Sequence, residues 1–314
     1  MTLYKWSEIK ASDLKQFTQK KPIFILGPRE ISAKRIIQLS KKIITKKPIV
    51  WGCVTEKYIA GLENSPQFKT LSLKRLKEAL KKLPKNTQKS IFILTYPQKK
   101  AVKILKQGNW SAVIGINGSW HRAFHYRDEY QTITEKKTLY KLVSSFTNKA
   151  EALNYFQKIK PTLPKVEAEA GKKYTDQKLI EFARQASLRS FDYTFQTGAV
   201  LAKDNKFLLA THNKVVPYET YMLHKGATKE KNLTGFQEPG HYDTSHAEQE
   251  MLIQIHEQGI DLDGCSLYIN LMPCPACARL LSSTPLKEVV YQHEHSDGYA
   301  KELLEKAGKG VRSI

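Results

Sequence analysis

Two short groups of potential metal ligands constrain this 314-residue chain more than any other feature of its sequence. His246 and Glu248 stand at the start of a predicted helix, and Cys274 and Cys277 stand at the start of a second one. The residues between the groups, 266–271, have the apolar composition of a buried strand. Because a helix–strand–helix order can bring two helix N-termini together at one edge of a sheet, we expect the two groups to share one site.

The residue types in these groups suit a zinc ion that keeps an open coordination position. Cys274 and Cys277 lie one helical turn apart, so both sulfurs can face one ion, and the positive end of the helix favours their thiolates. With His246 they supply three protein ligands, which leaves the fourth tetrahedral position for water, as in catalytic zinc sites. Glu248 is predicted to carry protons between that water and a substrate.

A structural zinc site is the alternative interpretation, with Glu248 as an ordinary carboxylate at a helix start. Structural sites use four protein ligands. Cys265, His241 and His256 are the nearest further candidates, and none of them has the spacing of a ligand. The sequence therefore favours a catalytic site.

The net charge changes sharply along the chain near Pro161-Thr-Leu-Pro164. Residues 1–165 contain 34 Lys+Arg and 10 Asp+Glu, a net charge of +24, whereas residues 166–314 contain 17 and 20, a net charge of −3. We therefore expect a basic domain at 1–160 that is regulatory or binds nucleotide or nucleic acid, a linker at 161–173 and a second domain at 174–314. The lysine excess fits either a polyanionic partner, such as nucleic acid, or a solvated surface, and charge alone does not decide.

Short apolar runs alternate with amphipathic segments in the first domain. Strands are predicted at 23–26, 49–51, 91–94 and 112–116, with helices between them. This order predicts a Rossmann-like α/β domain with a parallel sheet. Asn117-Gly118 predicts a hairpin that adds an antiparallel edge strand, and residues 139–159 are predicted to be helical.

Two segments of the first domain allow functional interpretations. Gly27-Pro-Arg-Glu30 follows a strand and could place Arg29 and backbone amides near a phosphate, although a plain turn is favoured because the further glycines of a phosphate loop are missing. Trp120 to Arg127 interleaves aromatic and basic residues, which fits either contact with nucleic acid bases or an ordinary core segment.

From Tyr174 to Ile314 the chain resembles the cytidine and deoxycytidylate deaminase family. His246-Ala-Glu248 and Pro273-Cys-Pro-Ala-Cys277 match the H-x-E…P-C-x-x-C signature of zinc nucleobase deaminases. Thr197 to Val200 resembles the V-G-A-V strand of the family, and Tyr268 to Cys274 is similar to its L-Y-V-T-x-x-P-C segment. The resemblance is closest to the deoxycytidylate deaminases.

This resemblance implies a cytidine-deaminase-like α/β/α domain with a mixed sheet, a Zn2+ cofactor and a nucleotide substrate. It also implies that the enzyme converts a dCMP-like cytosine nucleotide to the uracil nucleotide with release of ammonia, and that the protein forms a homo-oligomer. The implied substrate contacts are Asn213, Gly198, Ala199, Ala247 and Pro273.

Two other functions stay open. Gln249-Glu250 departs from the deoxycytidylate branch, and Tyr242 to Ser245 resembles the lead-in of transfer-RNA adenosine deaminases. The protein could therefore edit transfer RNA or single-stranded nucleic acid, with the basic first domain binding the polynucleotide. The second possibility is a non-catalytic nucleotide or nucleic-acid binding protein on a deaminase fold.

The compartment is predicted from apolar runs and cysteines. No stretch approaches the roughly 18–20 apolar residues of a membrane span, and the first ten residues lack the features of a secretory signal. With four cysteines, two of them at ligand spacing, a reducing compartment is favoured over a disulfide framework. We expect a cytoplasmic protein without a membrane segment.

Overall fold

The computed structural model describes residues 1–10, 14, 17–45, 47–231, 243–295 and 298–314. These residues form two compact units. The first comprises Met1–Pro161 and Thr220–Asp243, and the second comprises Thr162–Glu219 and Thr244–Ile314. Of the residues named in the sequence predictions, His241 and Tyr242 lie outside the described part of the chain. None of the described helices combines the length and the apolar composition of a membrane span.

The first unit is built on a parallel sheet whose six described strands lie in the order β1-β4-β3-β2-β5-β6. The pairing is parallel at every step. The strands are β1 (Thr2–Lys5), β2 (Ile23–Leu26), β3 (Ile49–Val54), β4 (Ile91–Tyr96), β5 (Ala112–Ile116) and β6 (Leu139–Val143). Strand β3 is buried along its whole length, as expected for a central strand covered on both faces. The predicted parallel α/β organisation is therefore present.

Helices cover both faces of this sheet. They are α1 (Ala33–Ile44), α2 (Leu73–Leu80), α3 (Lys85–Gln88), α4 (Ala101–Gln107), α5 (Asp128–Glu135) and α6 (Lys149–Ile159). One hydrophobic core contains the apolar stripes of α1 and α2, and a second contains those of α4 and α5. The lysines of these helices lie on the sides opposite the apolar stripes. They therefore point away from the cores on both faces of the sheet.

Two sequence predictions in this unit are wrong. Asn117-Gly118 does not form a hairpin, because Trp120 and Phe124 that follow it are buried in the core and draw the chain away from the sheet edge. The chain returns through α5, so β6 pairs with β5 in parallel. Residues 139–143, predicted to be helical, form this strand, and the helix begins only after Asn148, whose side chain caps α6 by accepting from the Glu151 amide.

The second unit has a mixed sheet in the order β13-β12-β11-β7-β8, as predicted. Strand β7 pairs with β8 and β11 in antiparallel fashion, whereas β11, β12 and β13 run parallel. In chain order the elements from the start of this unit are α7 (Asp176–Ser187), β7 (Gly198–Lys203), β8 (Lys206–His212), β9 (Lys214–Val215), α8 (Tyr221–Lys225), α9 (Thr228–Lys231), β10 (Thr244–Ser245), α10 (Ala247–Gln258), β11 (Cys265–Leu271), α11 (Pro275–Ser282), β12 (Glu288–His293), α12 (Tyr299–Lys306) and β13 (Gly310–Ser313).

Helix α7 covers one face of the mixed sheet, and α10, α11 and α12 cover the other. Helices α8 and α9 belong to the first unit, although they lie between β9 and β10 in sequence. Backbone and side-chain hydrogen bonds join them to that unit, from Phe146 N to Leu223 O at 2.9 Å and from Thr220 Oγ1 to Ala152 O at 3.0 Å. The chain therefore leaves the second unit between β9 and β10 and returns to it.

Candidate active site

His246 stands directly before helix α10, in extended backbone with φ −73° and ψ 158°. Its amide donates to Gln249 Oε1 at 2.8 Å, and its carbonyl accepts from the Glu250 amide at 2.9 Å. The antiparallel pair of β9 and β10 delivers the chain to this position, and Lys214 of β9 forms an ion pair with Glu250 at 2.5 Å. The imidazole is thus held at the N-terminus of α10.

Cys274 stands in the same way before helix α11, with φ −70° and ψ 164°. Pro275 occupies the first helical position, where its missing N–H removes no helical hydrogen bond. The Cys274 carbonyl accepts from the Ala278 amide at 2.9 Å. Cys277, one turn into the helix, is 1% exposed, whereas Cys274 is half-buried. Both sulfurs therefore project from the first turn of α11.

The three side chains meet at one point. His246 Nδ1 lies 3.3 Å from Cys277 Sγ and 3.6 Å from Cys274 Sγ, and all three atoms lie within 4.8 Å of one another. With Zn–N near 2.0 Å and Zn–S near 2.3 Å, tetrahedral geometry places nitrogen and sulfur about 3.6 Å apart. One imidazole and two sulfurs at this spacing fit a zinc ion, and no fourth Cys, His, Asp or Glu joins the group among the described residues.

Glu248 lies on the first turn of α10 and is 3% exposed. Burial raises the pKa of its carboxyl group, while its backbone amide and His246 oppose the shift. The carboxyl group also makes a hydrogen bond with Cys277. Glu248 is thus a buried carboxyl group beside the candidate metal ligands, where it could exchange protons with a nearby water or substrate.

The two thiols have different environments. A hydrogen bond with Cys277 is the largest of the effects that lower the pKa of Cys274, to about 3. The pKa of the Cys277 thiol is raised by its hydrogen bond to Cys274 and by burial. The two sulfur atoms are therefore close enough for each thiol to affect the protonation of the other.

Comparison with known proteins assigns a family to this part of the chain. Residues 173–293 match the family model of the cytidine and deoxycytidylate deaminase zinc-binding region. This part of the chain is therefore similar to that family. Its members are zinc-dependent hydrolytic deaminases that act on C–N bonds, and we call these residues the deaminase region.

Individual relatives are similar over part of their length. ComE operon protein 2 of Bacillus subtilis is 24% identical over 129 residues, which cover 41% of this chain and 65% of the relative. Human deoxycytidylate deaminase is 33% identical over 63 residues, covering 19% of this chain and 34% of the relative. The dCMP deaminase of cyanophage S-TIM5 is 21% identical, covers 44% of this chain and 96% of its own, and aligns with a TM-score of 0.34.

Asn213 of the deaminase region is 3% exposed and organises the segment before β7. Its Oδ1 accepts from the Thr197 amide at 2.9 Å, and its Nδ2 donates to the Phe195 carbonyl at 2.9 Å. The Asn213 amide donates to the Thr197 carbonyl at 3.0 Å. These bonds fix the backbone that leads into Gly198.

Gly198 and Ala199 are packed into the sheet. A Cβ on Gly198 would lie 2.1 Å from Ala183 O and 2.4 Å from Ser187 N, so a glycine is needed where α7 crosses β7. Ala199 is fully buried in the core of the second unit. The structure thus gives both residues a packing role, and their predicted contact with substrate stays a prediction.

Ala247 and Pro273 flank the site. Ala247 is fully buried between His246 and Glu248, and Pro273 is buried directly before Cys274. Two residues that the sequence analysis did not single out support this framework. Thr211 Oγ1 donates to the Ala247 carbonyl at 2.9 Å, which ties β8 to the first turn of α10.

Asn270 is the second supporting residue. Its Oδ1 accepts from the Gly198 amide at 2.8 Å, and its Nδ2 donates to the Gln196 carbonyl at 3.0 Å. The signal in the sequence was a polar amide near the end of an otherwise apolar strand, four residues before Cys274. A polar residue at such a position is expected to have hydrogen-bond partners.

The functional candidates of the first unit have structural contacts. Arg29 is 2% exposed and donates to the carbonyls of Gly118 and Gln67 at 3.0 Å each, so its guanidinium group points into the protein. Trp120 and Phe124 are buried in the core. The phosphate-binding interpretation of the loop at Arg29 is therefore not supported by this geometry.

Proposed function

We propose that the deaminase region hydrolyses the exocyclic amino group of a dCMP-like cytosine nucleotide, giving the uracil nucleotide and ammonia. The observation that carries this proposal is the convergence of His246, Cys274 and Cys277 beside the buried carboxyl group of Glu248. Human deoxycytidylate deaminase, among the relatives, supports the choice of a cytosine nucleotide.

His246, Cys274 and Cys277 would hold the zinc ion. When bound, zinc acts as a Lewis acid that makes a water molecule a stronger nucleophile at neutral pH. Glu248 accepts a proton from the attacking water and donates it to the ring nitrogen. The same carboxylate then takes the remaining proton from the new hydroxyl group and passes it to the amine, so that the C=O bond forms as the C–N bond breaks and ammonia leaves as a neutral molecule.

We further propose that Asn213, Ala199 and Gly198 form the floor under the base. Asn213 fixes the backbone at Thr197, and Asn270 fixes the amide of Gly198, so these groups are held in place before a substrate arrives. Preorganised polar groups of this kind orient a ligand at little entropic cost. Ala247 and Pro273 lie next to the ligands His246 and Cys274 and would close the sides of the pocket.

The first unit is proposed to be Rossmann-like. Without β1, its strand order β4-β3-β2-β5-β6 corresponds to the order 3-2-1-4-5 of doubly wound nucleotide-binding sheets. Helices on both faces agree with that arrangement.

The decisive experiment measures uracil or inosine formation and ammonia release from dCMP, CMP, deoxycytidine, single-stranded DNA and transfer RNA. Glu248→Gln should bind zinc like the unchanged protein yet lose turnover by about 10²–10⁴-fold, as expected for loss of a general acid–base group. Glu257→Gln, on an exposed part of the same helix, is the matched control and should keep full activity. An active Glu248→Gln variant would refute the proton-transfer role.

Editing of a polynucleotide is the second candidate, and the +24 charge of residues 1–165 favours it. A protein that neutralises several phosphates loses affinity steeply as salt rises. For six to ten phosphate contacts, affinity should fall by about 10³–10⁵-fold between 50 and 200 mM salt. Turnover of transfer RNA or single-stranded DNA that falls steeply over this range, without turnover of dCMP, would select this candidate.

A further inference from the structure

A large cavity of the first unit lies at the carboxyl edge of its parallel sheet. It has a volume of about 1040 Å³ and is bordered by the ends of β3 and β4 and by the starts of α1 and α2. Helix α6 forms another wall through Asn154, Tyr155 and Lys158. In open parallel sheets of this class, ligands bind outside the carboxyl ends of the strands.

The acidic side chains of this cleft are already engaged by the protein. Both carboxylate oxygens of Glu56 accept from the Gln98 amide, at 2.9 and 3.0 Å. Glu151 accepts from the Thr147 amide at 2.7 Å and from Ser32 Oγ at 3.2 Å. Glu30 is paired with Arg75. These carboxylates therefore have satisfied hydrogen bonds without any ligand.

The lysines of the cleft are not matched in this way. Lys57, Lys69 and Lys158 line it, and none of them takes part in an ion pair among the described residues. Lys57 rests over the ring of Tyr58, 5.4 Å from its centroid. With Arg75, these three lysines outnumber Glu30, Glu56 and Glu151 by one charge, so the lining carries a net positive charge that favours an anion.

The helix starts add to this field. Ser32 caps α1 and Ser72 caps α2, and neither helix has an acidic residue in its first turn. The positive end of α2 therefore faces the cleft without a carboxylate in its own first turn, whereas Glu151 lies at the start of α1 through its bond with Ser32 Oγ. Phosphate groups bind readily where helix N-termini and lysines coincide.

The floor and one wall of the cleft are apolar. Cys53 and Leu71 are 2% and 3% exposed, and Phe146 packs against Tyr155 with ring centroids 5.1 Å apart. The volume far exceeds that of a phosphate ion and lies at the upper end of the range for sites that bind small organic ligands. The ligand should therefore carry an organic portion as well as its charge.

We propose that this cleft binds a phosphorylated small molecule of nucleotide size. Its phosphate group would lie among Lys57, Lys69 and Lys158, and its organic portion would lie against Leu71 and Tyr155. The site is independent of the zinc group, so its existence does not depend on the proposed deaminase activity.

Isothermal titration calorimetry of the full-length protein tests the proposal, with adenosine 5′-monophosphate, ribose 5-phosphate, inorganic pyrophosphate and unphosphorylated adenosine as probes. At least one phosphorylated probe should bind, and adenosine should bind at least about tenfold more weakly than its monophosphate because it lacks the charge-assisted hydrogen bonds. The combined change Lys57→Gln, Lys69→Gln and Lys158→Gln should lower affinity for the phosphorylated probe by at least about tenfold.

Two further variants separate a defined site from general attraction. Lys81→Gln, Lys85→Gln and Lys106→Gln remove the same charge from exposed positions outside the cleft and should leave affinity unchanged. Ala33→Trp fills the cleft from an exposed position on its border, keeps every lysine and should abolish binding. The proposal is overturned if no phosphorylated probe binds, if both lysine triples lose affinity equally, or if Ala33→Trp binds like the unchanged protein.

Discussion

Replacement of Gly198 by alanine tests whether this residue serves packing or substrate binding. Its backbone φ is not among the positive values, so the conformation itself is open to alanine. The added Cβ would lie 2.1 Å from Ala183 O and 2.4 Å from Ser187 N, where normal contacts need about 3.5 Å. Both atoms belong to the backbone of α7 and cannot rotate away, so the helix must move by about 1 Å.

Such overpacking typically costs about 1–3 kcal/mol, and contact with backbone places Gly198→Ala at the upper end, about 3 kcal/mol of unfolding free energy. Alanine also restricts the unfolded chain more than glycine does, which stabilises the folded state by at most about 1 kcal/mol. This gain does not offset the cost of overpacking. Gly264→Ala is the opposite control. It has a positive φ of +70°, but an added Cβ would make only an ordinary contact with Lys203 Cε at 3.8 Å, and the change should cost about 1 kcal/mol.

Urea unfolding followed by circular dichroism measures these free energies. The four tryptophans all lie in residues 6–120, so their fluorescence reports the first unit separately. The lower unfolding free energy of Gly198→Ala is expected in the urea transition that circular dichroism records. If the unfolding free energy of Gly198→Ala is unchanged, the packing argument is wrong, whether or not KM rises.

Three other predictions concern the second unit. Thr211→Val removes the hydrogen bond to the Ala247 carbonyl and should lower the unfolding free energy by about 1 kcal/mol and reduce kcat, with zinc content unchanged; stability equal to that of the unchanged protein would show that the bond is dispensable. Hydrogen bonds with Tyr268 and Arg312 hold the pKa of Asp176 below its usual value against the opposing effect of burial, so its stabilising contribution is present at neutral pH and is lost as pH falls through the lowered pKa. Urea midpoints between pH 6 and pH 3 should therefore fall less in Asp176→Asn than in the unchanged protein, and parallel curves would contradict this. Removal of zinc by a chelator should abolish turnover and make the half-buried Cys274 the first cysteine alkylated by iodoacetamide, as peptide mass mapping would show, whereas equal labelling of all cysteines would indicate unfolding.

The local signals in the sequence located most of the elements. Helices over 176–187 and 247–258 begin and end as the caps and apolar spacing predict, and the β2 and β5 strands match their apolar runs. The grouping of His246, Cys274 and Cys277 could also be predicted, because the position of a side chain at a helix start depends on residues close to it in sequence.

Other features depend on partners that are distant in sequence. The direction of β6 is set by the burial of Trp120 and Phe124, which no local turn signal encodes. The sequence allowed a phosphate at Arg29 while favouring a plain turn, whereas in the structure its guanidinium group donates to the carbonyls of Gly118 and Gln67. Single-sequence patterns describe the propensity of a segment and not the identity of its neighbours.

The sequence by itself predicted the grouping of His246, Cys274 and Cys277, the mixed sheet of the second unit and the alternation of strand and helix in the first. These depend on periodicity, capping and spacing over a few residues. The tertiary structure alone decided that residues 220–231 pack with the first unit, that Thr211 and Asn270 support the site, and that Gly198 is required by α7. The physical reason is that hydrogen bonds and close packing join atoms by distance in space, and a chain brings such atoms together only when it folds.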